Sequence, residues 1–351
     1  MIFKERFTLI ALCAFVFMGY SQEPKFGKVS KEELSEKAYP KDESANAAYL
    51  YKNRRTHFEY NQQEGFLMVT DIHERIKIYN KDGFDYATKK VNLYKDGSAN
   101  EKLTSLKAMT FNLVNGKIEE SKLKKEGEFK TELSKYIDQK SFTMPNIKEG
   151  SVIDYKYKIT SPFISNVDEY VFQHDIPIKK IDAVFEAPEY FNYRVNTKGF
   201  LNVIPISDRS NGKISLTSKT RSGGGFSPKR TSFDSQDITF YKNITKYDIS
   251  DVPALKDESF VNNINNYRSA VKYELSYTKF PNSIMKHYTT TWEDVVKKIY
   301  KSPNFGAELD KNGYYNDAID ALIAKESDAI KRASLIFNFV KSKVKWNGNY
   351  G

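Results

Sequence analysis

One cysteine, Cys13, stands in 351 residues, and it lies in an N-terminal apolar run that is expected to be removed. The mature chain then has no disulfide, no thiol nucleophile and no cysteine metal site, so folding rests on core burial alone. The four histidines, His57, His73, His174 and His287, are scattered, with no pair at the spacing of an H-E-x-x-H site. Each reads as a strand or loop residue, His73 and His174 within alternating strands. There is no G-x-S-x-G elbow, and Gly223, Gly224 and Gly225 lack the strand-before, helix-after setting of a phosphate loop. The carboxylate pairs Glu119-Glu120 and Asp257-Glu258 are adjacent in sequence and read as solvated, not as an acid/base pair. No repeat of fixed period and no low-complexity tract occurs. The sequence therefore offers no catalytic, cofactor-binding or metal-binding residue, and no cofactor is expected.

What is abundant is aromatic: 24 Tyr and 24 Phe supply large apolar faces in a chain long enough for two domains. Lys4 and Arg6, the apolar run Phe7 to Met18, and the small residues Gly19 and Ser21 form a signal peptide over residues 1–21, with Gln22 as the expected mature start. The run is shorter than the roughly 20 residues of a bilayer span. Leu12, just before Cys13, argues against lipidation. Export without cysteine fits the periplasm or outer surface of a Gram-negative bacterium, with no stable membrane span after cleavage. The formal net charge of +10 is spread along the chain as lysines alternating with apolar residues. Such lysines form solvated strand faces; nucleic-acid binders instead concentrate them on one patch, so no nucleic-acid partner is expected. Attraction to anionic envelope polymers would be weak and non-specific.

After a charged surface arm over residues 22–50, with a short helix from Ser30 to Lys37, strand signals dominate. Ile72, Ile76 and Ile78 share one parity and His73, Arg75 and Lys77 the other. Asn115-Gly116, flanked by Phe111, Leu113 and Ile118, predicts a type I′ hairpin. Ile153, Tyr155, Tyr157 and Ile159 alternate with Asp154, Lys156 and Lys158, giving a strand with one wet face. Further runs, "EYVFQHDIPI", "IDAVFEAP", "YFNYRVNTKG", "FLNVIPIS", "GKISLTSKT", "DITFYKNIT" and "SAVKYELSYTKF", have no helical pattern between them. The fold class is mainly β: antiparallel sheets packed as a sandwich over residues 51–285, followed by a C-terminal helical segment over 286–351. The period changes near Thr291, which caps a helix with Asp294 at the capping-box position. Tyr315 to Ala324 and a final helix capped by Ser327 follow. In the last helix Ile330, Ala333, Phe337, Val340 and Val344 form one apolar face, leading to the aromatic turn "WNGNYG".

The order of "FNLVNGKIEESKLKKEGEF", "FTMPNIKEGSVIDYKYKITSP", "FQHDIPI", "DVPALKDESF" and "IFNFVKSKVKWNGNYG" resembles secreted bacterial proteins of the transglutaminase-like family, over about Ala45 to Gly351. The resemblance implies an N-terminal β-rich domain of unknown function, then the start of a papain-like transglutaminase domain (α+β). It also implies a Cys-His-Asp core beyond the segment matching "VKWNGNYG", so no catalytic residue transfers to this chain, and Trp346 reads as a core anchor. The expectation is a non-catalytic accessory or substrate-positioning module with envelope proteins or peptides as partners. The alternatives are the N-terminal part of a Cys-His-Asp amidase or protease acting on envelope peptides or proteins, and a stand-alone glycan- or protein-binding sandwich.

Overall fold

A computed structural model describes residues 24–223, 230–288, 291–303, 305–311, 313 and 315–345. The expected signal peptide, Gly224 and Gly225, Trp346 and the aromatic turn lie outside the described residues. A short helix α1 (Lys31–Ser35) precedes β1 (Ala47–Asn61), β2 (Gly65–Ile78), β3 (Thr88–Asp96), β4 (Ala99–Asn100), β5 (Lys102–Val114), β6 (Lys117–Lys122), β7 (Glu128–Ser134) and β8 (Ile137–Thr143). Then come β9 (Val152–Ser161), β10 (Tyr170–Val171), β11 (Ile178–Pro188), β12 (Phe191–Lys198), β13 (Ile206–Ser222), β14 (Arg230–Val252), β15 (Ala270–Thr278) and β16 (Lys286–His287). Helices α2 (Trp292–Tyr300), α3 (Gly306–Leu309), α4 (Asn316–Ile323) and α5 (Ala329–Lys343) follow.

The fold is mainly β, with its longer helices in the C-terminal part. An eight-stranded sheet runs in the order β13-β14-β11-β1-β2-β9-β5-β6. Two smaller sheets, β4-β3-β8-β7 and β10-β15-β12 with β16 on β15, pack over one face of it. That face carries Ile76, Ile78, Ile153, Tyr155, Ala183 and Phe185, and the small sheets cover it with Val91, Leu93, Phe142, Tyr170 and Tyr273. Alternation dictates this arrangement, because most of the inward-facing residues of β2, β9 and β11 are apolar and must be taken out of water. The hairpin β5–β6 turns at Asn115 and Gly116 with φ of 51° and 73°, the positive values that a type I′ turn demands.

Several expectations are corrected. The large sheet is mixed: β1 and β11 run parallel, a pairing open to them because other strands fill the long connection between the two. The hairpin β7–β8 is additional; β7 is exposed on both faces, so its sequence carries no burial alternation. Residues 200–205 form no strand, and His174 lies in the loop after the two-residue β10. The last helix is capped by Asp328, whose carboxylate accepts from the Lys331 amide, and not by Ser327. Its expected apolar face is there, but Ile330, Phe337 and Val340 are exposed among the described residues. Thr291 caps α2 as expected, accepting from the Asp294 amide. No helix among the described residues is long and apolar enough to cross a membrane.

The N-terminal arm does not simply lie in solvent. Residues 25–36 cross the outer face of the large sheet, and Leu34 is buried against Leu50, Met109, Phe111 and Val152. The face expected to be wet at Asp154, Arg75 and Lys77 is therefore closed. Asp154, 0% exposed, accepts from the Gly27 amide at 2.8 Å, the Arg75 guanidinium at 3.0 Å and the His73 Nε2 at 2.7 Å. Arg75 also donates to Glu33 at 2.9 Å and to the Lys25 carbonyl at 3.0 Å. Lys77 donates to the carbonyls of Leu34 and Gly150, both at 2.7 Å, and burial pulls its amine down to about 8. Arm and sheet thus satisfy most of each other's buried polar groups, Arg75 Nε being left without a partner.

Candidate functional site

The two small sheets leave a cleft of about 350 Å³ between them, floored by the large sheet. Lys89 to Asn92 of β3 form one wall, and Asp168 to Phe172 with His174 form the other. The floor brings in Lys52 and Arg54 from β1, Glu74 from β2 and Tyr157 from β9. On β1 and β2 these residues occupy the parity that elsewhere holds core side chains, with Lys52 opposite Glu74 and Arg54 opposite Ile72. The strands therefore aim charge into the interior.

Glu74 is the centre of this floor. One carboxylate oxygen meets Lys52 Nζ; the other accepts from Lys89 Nζ at 2.9 Å and from the Tyr155 hydroxyl. Burial by itself would raise its pKa, but the two ammonium groups and the phenol outweigh burial and hold the carboxyl well below its usual range. Burial opposes the charge on Lys89 as well, and there Glu74 prevails and raises the amine. Lys52 lies over the Tyr49 ring at 4.2 Å, and burial, with a smaller contribution from repulsion by Lys89, lowers its pKa despite the attraction of Glu74. Glu74 is thus a fixed anion between two cations, not a proton carrier.

Arg54 has a different role. Its guanidinium stacks on the Tyr170 ring at 3.9 Å and donates to the carbonyls of Glu169 at 2.8 Å and Asp168 at 2.9 Å. Its Nε is buried with no hydrogen-bond partner, and so is Nε2 of His174. Burial, reinforced by Lys52, pushes the His174 pKa well below its usual value, leaving a neutral imidazole. Two unsatisfied buried nitrogens beside one cavity call for a ligand or solvent to complete them. On the acidic side, Asp168 is exposed at the rim and Glu169 is held by Lys198 at 3.0 Å.

Of the other histidines, His57 lies on β1 beside Glu59, His73 is bound to Asp154, and His287 sits on β16. Glu119, Glu120, Asp257 and Glu258 are exposed, as expected. Among the described residues, no group of three or more His, Cys, Asp or Glu is placed to hold a metal ion. Sequence reasoning missed Lys52, Arg54, Glu74, Lys89 and His174. The signal for Glu74 was nonetheless present: it occupies the place between Ile72 and Ile76 in the Ile72, Ile76, Ile78 stripe, where an apolar residue belongs. A second hollow of about 490 Å³ is larger, but its wall of Tyr60, Phe66, Tyr190, Phe191 and Phe280 has Glu64 as its one charged residue. It offers little directional chemistry.

The buried tyrosines of the core, Tyr157 of the cleft among them, make a testable pH profile. Burial raises Tyr157 to about 12, and raises Tyr49, Tyr155, Tyr193 and Tyr273 as well. A phenol whose folded pKa exceeds its unfolded value of about 10 contributes stability below pH 10 and loses it as pH rises through the folded value. Tyr157 alone would withdraw about 2 kcal/mol by pH 12. Lys77 acts in the opposite sense between about 8 and 10.5, so the effect is read above that window. The share of the tyrosinate absorbance at 295 nm that comes from these buried phenols should therefore appear only with loss of the circular dichroism signal; complete ionisation of all 24 tyrosines in a still-folded protein would contradict the burial.

Residues 66–218, from β2 into β13, match the family model described as "Domain of Unknown Function with solved-structure structure (DUF3857)". The β-rich core carries a domain of unknown function. The DUF3857 match contains Glu74, Lys89 and His174, while Lys52 and Arg54 lie just before it on β1. The crystal structure of a "putative protease" from Parabacteroides distasonis is similar in fold, with a TM-score of 0.54, 11% identity, 86% of this chain covered and 51% of that one. This chain thus spans about half the length of that protein. A "putative nutrient binding protein" from Legionella pneumophila gives a TM-score of 0.23 and 8% identity, covering 83% of this chain and 78% of that one. At that level the likeness carries no argument. No curated protein matches the chain.

Proposed function

We propose that this chain is a non-catalytic, substrate-positioning module of an exported cell-envelope protein, working beside a transglutaminase-like core. The observation that carries the reading is the floor of the cleft. Its carboxylate is clamped in the ionised state by Lys52, Lys89 and Tyr155, so it is a poor proton donor or acceptor near neutral pH, whereas Arg54 and His174 keep nitrogens free for a ligand. Such a cleft holds and orients. The motif order supports the transglutaminase-like context, and the envelope setting rests on the signal-like N-terminus.

A second reading has one observation in its favour. Because the chain spans about half of a fold relative named as a "putative protease", it also suits the N-terminal part of a longer Cys-His-Asp amidase or protease acting on envelope peptides. Both readings place the chemistry outside this chain. The test is to express residues 1–351 in a Gram-negative host, recover the mature protein from the periplasm and assay amide hydrolysis and glutamine–lysine cross-linking. Recovery with Gln22 as the first residue and no turnover is expected. Turnover that co-purifies with the chain overturns the reading, and retention in the cytoplasm overturns its envelope setting.

A further inference from the structure

The walls of the cleft are strand edges, not strand faces. Lys89, Lys90, Val91 and Asn92 all line it, and four consecutive residues of both parities can do so only where the backbone itself borders the space. β3 pairs with β8 along Thr88–Tyr94 on one side, and its other side meets β4 only at Lys95 and Asp96. The hydrogen-bond parity follows from its ends. The Ala87 carbonyl and the Lys95 amide bond toward β8, while the Tyr94 amide and carbonyl bond away from it, to Glu101. Amide and carbonyl of one residue point the same way and alternate along a strand, so those of Lys90 and Asn92 point to the unpaired side. The opposite wall repeats the pattern. Phe172 donates its amide to Ser269 toward β15, which turns the backbone groups of Val171 away from β15.

We propose that the cleft takes an extended peptide bearing a carboxylate, which adds a strand to the free edge of β3 and sets its carboxylate on the cationic floor. This rests on the positioning role above and names the ligand class. A free edge supplies main-chain affinity by strand addition, in register with Lys90 and Asn92. The floor and the β3 wall supply the charge: Lys52, Arg54 and Lys89 outnumber Glu74, whose oxygens are already occupied. Arg54 Nε and His174 Nε2 are unused polar groups at the same place. Glu169 and Asp168 do not cancel this, one being tied to Lys198 and the other turned to solvent at the rim.

The test is amide hydrogen exchange on the mature full chain with a pool of hexapeptides of Val, Thr and Tyr ending in a free carboxylate. Parallel samples contain the C-terminally amidated pool, an amidated pool carrying one Glu, and acetate alone. The free-carboxylate pool should slow exchange over residues 88–94 at least threefold. The neutral amidated pool should bind at least tenfold more weakly, and the Glu pool tells whether a side-chain carboxylate serves as well as a terminal one. Lys90→Pro removes an amide from the free edge without touching the β8 ladder, as edge strands tolerate, and should abolish the protection; Lys90→Gln should keep it. Equal binding of the neutral pool would remove the carboxylate claim. Acetate binding with no protection of residues 88–94 from any peptide would mean a small-anion site and overturn the peptide. No protection by any pool, with no turnover, would overturn this inference while leaving the non-catalytic reading standing.

Discussion

Replacing Glu74 with Gln should destabilise the protein by about 3–5 kcal/mol, because it leaves Lys52 and Lys89 facing each other without their shared counter-ion. Their side chains are 13% and 27% exposed, so water can compensate them only in part. The sign of the pH dependence separates this mechanism from a simple packing defect. A carboxyl whose folded pKa lies below its unfolded value stabilises above about 4.5, and the stabilisation is lost as pH falls below that. The native protein and Glu74→Gln should therefore differ most at neutral pH and converge in acid. Adding Lys52→Met to Glu74→Gln should recover a large part of the loss, since a buried pair replaced by apolar groups is often neutral. Urea unfolding at pH 7 and pH 3 measures both; a constant difference at the two pH values would contradict the charge argument.

Asp154→Ala should have an effect of similar size by a different route. Asp154 accepts from the Gly27 amide, His73 and Arg75, and so fastens the arm to the sheet. Arg75, 2% exposed, would keep Glu33 but lose its buried partner, at a cost of about 3–5 kcal/mol. That corresponds to a fall of roughly 10 °C in Tm for a domain of this size. The specific readout is proteolysis: trypsin should cut the native-state variant at Lys25, Lys28 or Lys31 before it attacks the sheet. Equal resistance in both proteins would mean that the arm is held by Leu34 and its apolar neighbours alone.

Both predictions concern side chains whose importance the sequence only half discloses. The strands of β2, β9 and β15 were legible because their alternation is two-sided, and the Asn115-Gly116 turn because few other pairs accept two positive φ values. Thr291 was legible as a cap for the same local reason. Asp154 and Lys77 were not, since whether a polar face is wet depends on what crosses it, and here an arm more than forty residues earlier in the chain does so. The cleft was harder still. Lys52, Glu74 and Lys89 come from three strands, and nothing local to any of them records that two small sheets part above them. A charged residue in the apolar parity of a strand was the one trace in the sequence, visible at Glu74.

The central claim, that this chain binds through the cleft and performs no chemistry there, is tested most directly by a mass spectrum of the hexapeptide pool after long incubation with the protein under binding conditions. The account predicts that every peptide is recovered at its original mass while residues 88–94 of the protein remain protected. Shortened or cross-linked peptides that appear with the native protein and vanish with Lys90→Pro would contradict it and make the cleft an active site.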